Sequence, residues 1–111
     1  MTPNKAIEII DRLKPNIYTD EDKLRWINEL DGMVQRLVMQ KDEIAQYSYP
    51  EDMDRELLIP APFDDSYTLF LEAKIDYYNR EYGNYNNSAT MFEAQFSEYK
   101  KDYIRHNQVR G

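Results

Sequence analysis

The chain has 111 residues, a formal net charge of −7 and no cysteine. An isoelectric point near 4.7 argues against a grip on nucleic-acid phosphates, which takes clustered Lys and Arg, and against an anionic membrane surface. The lack of thiols excludes disulfides, zinc–thiolate sites and a cysteine nucleophile. No apolar run approaches the roughly 18 residues of a bilayer span. Residues 1–111 read as one domain, and the amphipathic start after Met1-Thr2-Pro3-Asn4 carries no signal-peptide pattern.

Thr2-Pro3-Asn4 predicts a helix with an N-cap followed by Pro in the first turn. Ala6, Ile7, Ile10 and Leu13 continue at helical spacing, and Pro15 ends the run at Lys14. Thr19 caps a second, longer helix whose first turn carries Asp20, Glu21 and Asp22, matching the positive end of the helix dipole. Leu24, Trp26, Ile27, Leu30, Met33, Val34, Leu37 and Val38 form one broad apolar arc on it, wide enough for two neighbours. Lys41 to Met53 reads as a loop or short strand, broken at Tyr47-Ser48-Tyr49-Pro50. Pro60-Ala61-Pro62 sets an extended path along the surface, anchored by Leu58, Ile59 and Phe63.

Asp64-Asp65 is expected to cap a third helix, about 66–82, with Gly83-Asn84 as its stop. Asn86-Asn87-Ser88 reads as a turn and N-cap, followed by a fourth helix at about 88–106. Phe92, Phe96, Tyr99 and Tyr103 lie in one line on it, and the short turn makes the last two helices an αα-hairpin. The expected class is all-α: a four-helix small domain with a long C-terminal αα-hairpin and an irregular Pro-rich connection.

Signals for catalysis are poor. His106 is the single histidine and lies at a helix end, where a cation is favoured by the dipole. Acidic pairs occur at Asp20/Asp22, Asp52/Asp54 and Asp64/Asp65. The first and last are accounted for by helix capping, and Asp52/Asp54 lacks the glycine and distal glutamate of a calcium loop. The three glycines are isolated, so there is no phosphate-binding loop. No catalytic, cofactor-binding or metal-binding residue is assigned, no cofactor is expected, and the chain is read as a non-enzyme.

The unusual feature is ten tyrosines. Tyrosine joins a large apolar ring to a polar tip and suits surfaces buried in a complex and wet at the rim. Tyr99, Tyr103 and Tyr78 are assigned to the core. A domain of this size cannot enclose two wide apolar faces, so Trp26, Tyr67, Tyr77, Tyr82 and Tyr85 are the candidate protein-interface residues. Base stacking on these rings would need a basic groove, which the composition opposes.

The block from Leu57-Leu58-Ile59-Pro60-Ala61-Pro62-Phe63-Asp64-Asp65 through Tyr67 and Leu71-Glu72-Ala73-Lys74-Ile75-Asp76-Tyr77 resembles a sequence common in prophages of Gram-positive bacteria. Glu81-Tyr82, Tyr85-Asn86-Asn87-Ser88, Phe92 and the upstream Trp26-Ile27-Asn28-Glu29-Leu30-Asp31-Gly32 share the likeness, which covers about residues 20–105. More distantly the chain is similar to the helical head–tail connector (adaptor) proteins of long-tailed phages. The C-terminal tail is shorter than in many connectors. The resemblance implies a structural virion-assembly role in the host bacterial cytoplasm and the virion. It implies a homo-oligomeric ring beneath the portal, with portal and tail-completion proteins as partners, and no sequence-specific nucleic acid or membrane. An acidic lumen would let DNA pass without sticking. The alternative is a non-enzymatic prophage regulatory or partner-binding protein using one aromatic face.

Overall fold

A computed structural model describes residues 1–107. Four α-helices follow in order: α1 (Pro3–Leu13), α2 (Asp20–Met33), α3 (Asp65–Tyr78) and α4 (Tyr82–His106). The described residues contain no strand, and the protein is all-α with a C-terminal αα-hairpin and an irregular connection between α2 and α3. No helix among the described residues is long and apolar enough to cross a membrane.

The first two helix starts follow the sequence rules. Thr2 Oγ1 accepts the Lys5 N–H at 3.1 Å with Pro3 in the first turn. Thr19 and Asp22 form a reciprocal capping box, each side chain accepting the other's backbone N–H. The third start differs from expectation. Asp64 has helical dihedrals and makes no side-chain cap. The chain enters α3 through consecutive turns instead, with Phe63, Ser66 and Tyr67 N–H groups donating to Pro60, Phe63 and Asp64 carbonyls. Those backbone bonds satisfy donors that a capping carboxylate would otherwise meet.

The end of α2 also departs from a regular wheel. Val34–Val38 forms a π-helical turn, with Met39 N–H donating to the Val34 carbonyl at 2.9 Å. The wider turn breaks the 3.6-residue register. Leu37, predicted on the apolar arc, consequently points outward and is 64 % exposed.

The hairpin turn lies earlier than the sequence indicated. Helix α3 stops at Tyr78, and Asn79-Arg80-Glu81 makes the turn. Glu81 N–H donates to Asp76 O at 2.9 Å and Arg80 N–H to Tyr77 O at 3.0 Å. This is a Schellman end, and Arg80 occupies its left-handed position with φ 62. Gly83-Asn84 and Asn86-Asn87-Ser88, read as stop and turn, are instead the opening turns of α4. Ser88 has a tertiary partner that accounts for its place: its Oγ donates to Asp76 Oδ2 at 2.9 Å. Asp76 is fully buried, and Lys14 Nζ at the end of α1 reaches its other oxygen at 2.5 Å. That bond raises the Lys14 pKa, against the opposing effect of burial. One carboxylate thus joins α1, α3 and α4.

The core packs Ile7 and Ile10 of α1 against Leu24, Ile27 and Leu30 of α2 and Leu71 and Ile75 of α3. Lys23 is buried too, its Nζ bonded to Asp11 Oδ1 at 2.6 Å and the Tyr18 carbonyl at 2.9 Å, which fastens α1 to α2. The α2–α3 connection contributes Met53, Leu57 and Ile59 to the same core. Helix α4 has 25 residues and α3 has 14, so α4 overhangs its partner and the molecule measures 51 × 33 × 23 Å.

Replacing Arg80 by Gly is expected to raise stability by about 1 kcal/mol, because an L-residue in the left-handed region costs roughly that much. Gly83→Ala adds up to about 1 kcal/mol by helix propensity, since a Cβ there meets nothing within 4 Å. Urea melts of the two single variants and the double variant check both, with additive shifts in midpoint and an unchanged slope.

Candidate interaction surface

The site is built from α2 outward. Asp31 lies in the middle of the apolar arc and is 1 % exposed. Its carboxylate accepts the Tyr47 and Tyr67 hydroxyls, each at 2.5 Å, and the Leu58 N–H at 3.2 Å. Tyr67 OH accepts the Ile59 N–H at 2.8 Å in turn. A carboxylate from α2 and a phenol from α3 therefore hold the α2–α3 connection between them. Burial raises the Asp31 pKa above the ordinary carboxylate range, against the lowering effect of its three donors. Burial, followed by the nearby Asp31, keeps both Tyr47 and Tyr67 protonated well beyond the usual phenol range.

Two amides flank Asp31 on the same side, Asn28 on α2 and Gln35 in the π turn that follows it. Asn28 donates to the Tyr47 carbonyl at 3.0 Å and accepts its N–H at 2.7 Å. Gln35 donates to the Ala45 carbonyl at 2.9 Å and accepts its N–H at 2.8 Å. Positions 28, 31 and 35 follow the i, i+3, i+7 spacing of one helix stripe. The sequence carried a signal for this network: at 100° per residue Asp31 falls between Leu24 and Ile27, and an acid at the centre of an apolar arc requires a partner.

The predicted interface residues separate into two groups. Trp26 and Tyr67 are 2 % and 1 % exposed, so neither is a surface residue. Tyr67 is drawn inside by Asp31, and Trp26 lies against Tyr78 with near-parallel rings 5.5 Å apart and against Tyr18 edge-on at 5.4 Å. Tyr77 and Tyr82 are 50 % and 56 % exposed, and Tyr85 is half-buried. Tyr78, assigned to the core, is 50 % exposed, although its ring stacks on Trp26 and meets Tyr18 and Tyr77. Tyr99 is buried as expected, its hydroxyl pKa pushed up to about 12, by burial first. Tyr103 is partly buried against the core.

Tyr77, Tyr78 and Tyr85 close one end of a groove running between α2, α3 and α4. Tyr77 meets Tyr78 edge-on at 5.3 Å and Tyr85 at 5.5 Å. Phe70 and Phe92, 5.0 Å apart, form the far part of its floor. Lys74 crosses it, bound to Glu29 at 2.8 Å and lying 5.4 Å over the Phe70 ring. A second apolar groove lies between α1, α3 and α4, lined by Ile9, Leu13, Leu69, Met91 and Ala94. On α4 the first groove uses Tyr85, Ala89 and Phe92 and the second Met91, Ala94 and Glu98. At 100° per residue these sets point roughly 150° apart. The aliphatic groove was not foreseen from sequence, because Leu13 and Met91 are far apart along the chain and only the fold brings them together.

Neither groove holds a reactive constellation. Among the described residues no three His, Cys, Asp or Glu side chains come close enough to hold a metal ion. His106 stands exposed in the last turn of α4, its Nδ1 2.9 Å from the Asp102 carbonyl. Asp52 accepts the Ser48 N–H at 2.7 Å and Asp54 accepts from Asn4 at 2.7 Å, so that acidic run braces a turn and the start of α1. No protein-family model, curated protein or solved structure matches the chain.

Tyr67→Phe is expected to cost about 1–3 kcal/mol, because it leaves the buried Ile59 N–H and one Asp31 lone pair without a partner. A urea melt reads the loss. The raised Asp31 pKa has a definite sign: between about pH 4, where the unfolded carboxyl titrates, and its higher folded value, the native state binds the extra proton. Stability therefore falls as pH rises through that window, and Asp31→Asn flattens the slope there in urea melts across pH.

Proposed function

We propose that this chain is a structural virion component of a prophage whose copies join head to tail in a connector-type ring beneath the portal. The sequence likeness over about residues 20–105 motivates the reading. The observation that carries it is the pair of unlike apolar grooves facing roughly opposite ways on the α3–α4 hairpin. A closed ring of one subunit type needs a heterologous contact, in which one face of each copy meets a different face of the next. An aromatic groove on one side and an aliphatic groove on the other provide two such faces.

The partners on this reading are neighbouring copies, the portal above and tail-completion proteins below. The net charge of −7 disfavours retention of DNA on a surface that DNA must pass. The role requires no reaction, and the interior ion pairs at Asp76 and Lys23 are explained by joining helices.

Particles from an induced prophage, purified and counted by quantitative mass spectrometry, are expected to hold this protein in fixed ratio to the portal. Absence from particles that contain portal and tail proteins overturns the assignment. The contact geometry is tested on particles carrying Tyr77→Asp/Tyr85→Asp or Leu13→Asp/Met91→Asp. Each double variant alone is expected to leave heads without tails. Cross-linking a mixture of the two is expected to give pairs joined through one intact face of each, and no longer chains. Self-pairing of either variant alone indicates a symmetric contact and rules out the head-to-tail ring.

A further inference from the structure

We infer that residues 44–48 form a preset strand edge that takes up an extended, basic segment of another protein by main-chain pairing. In an extended chain the N–H and C=O of one residue point to the same edge, and those of the next residue to the opposite edge. Asn28 and Gln35 each occupy both main-chain groups of a single residue, Tyr47 and Ala45. The two amide side chains thus act as a neighbouring strand would. With Ala45 and Tyr47 turned toward α2, the main-chain groups of Ile44 and Gln46 face away from it. Neither residue makes a hydrogen bond with any described residue, and both are exposed.

The segment is also held in place. Tyr47 is anchored at its hydroxyl by Asp31, and Ser48 N–H and C=O are closed by Asp52. The edge is consequently limited to the four groups of Ile44 and Gln46, bounded by Ser48. An open edge of fixed shape favours strand addition, because little ordering remains when the partner arrives. The chain around it supplies the chemical preference. Asp42 and Glu43 precede the edge and Glu51, Asp52 and Asp54 follow it, against Lys41 and Arg55. A partner with Lys or Arg at alternate positions complements that charge. The edge lines neither the aromatic nor the aliphatic groove, so the inference stands apart from the ring reading.

Amide exchange on the full-length protein, read by NMR, tests the geometry. Ala45 and Tyr47 are expected to be protected, and Ile44 and Gln46 to exchange at nearly unprotected rates. Equal protection of all four overturns the open edge. The probe for binding is a short capped peptide of alternating Lys and Val, added to about millimolar concentration. It is expected to slow exchange at Ile44 and Gln46 by about tenfold or more, as new hydrogen bonds close them. The same peptide N-methylated at alternate residues, and one with Glu for Lys, are expected to lose the effect. Gln46→Pro removes one donor without breaking an existing bond and is expected to weaken binding while the thermal melt is unchanged. No slowing at millimolar peptide, slowing that survives N-methylation, or equal binding of the Glu peptide each overturns the proposal. The Tyr77→Asp/Tyr85→Asp protein is expected to bind the peptide as the parent does, which separates this surface from the grooves.

Discussion

One buried carboxylate determines how the irregular connection between α2 and α3 is placed. Asp31 has no cationic partner among the described residues and is closed off from solvent, so hydrogen bonds are what offset its cost of burial there. Those bonds come from three separate places: a phenol on the loop, a phenol on α3, and a main-chain N–H beside Ile59. The connection between α2 and α3 has no strand ladder or helix of its own to satisfy its backbone. Asp31, with Asn28 and Gln35 on the same stripe, supplies the partners that secondary structure would otherwise give. Met53, Leu57 and Ile59 are thereby held at the right depth to complete the core.

A second carboxylate plays the corresponding part for the hairpin. Asp76 lies in the last turn of α3, where it collects Lys14 from α1 and Ser88 from α4. This fixes how the end of α1 and the start of α4 sit against α3. The two grooves follow from that placement. With α4 set along α3 and α1 closing one side, the aromatic residues of α3 and α4 remain partly open on the other. The surplus of apolar surface comes out as two separate grooves, and the large rings of Trp26, Tyr67 and Tyr99 are absorbed inside. Surface exposure of aromatics is thus selective: Tyr77 and Tyr82 stay about half-exposed, while the Tyr77 ring still packs against Tyr78 and Tyr85.

Much of the helical framework was legible along the chain. Thr2-Pro3, the Thr19–Asp22 box and Pro15 act within one turn of backbone, so local chemistry suffices to locate them. The apolar arc of α2 and the aromatic line of α4 were equally readable, because helical spacing is a property of neighbouring residues. Leu37 escaped the wheel since a π turn alters the spacing itself. Asp64 did not cap α3 because backbone turns took the same donors.

Composition and helical period set the all-α class, the hairpin and an excess of rings beyond what a small core holds, because these depend on residues that are neighbours in the chain. The tertiary structure alone decided which rings are hidden, and where the hairpin turns. Asn86-Asn87-Ser88 has turn chemistry, yet it lies within α4 because Ser88 finds Asp76 across the hairpin. Arg80 takes the strained position that a glycine would fill more easily, because the Schellman bonds and the docking of α4 require the turn there. Tyr67 has the same ring chemistry as Tyr77 and Tyr82, and only contacts from residues distant in sequence separate the buried ring from the exposed ones.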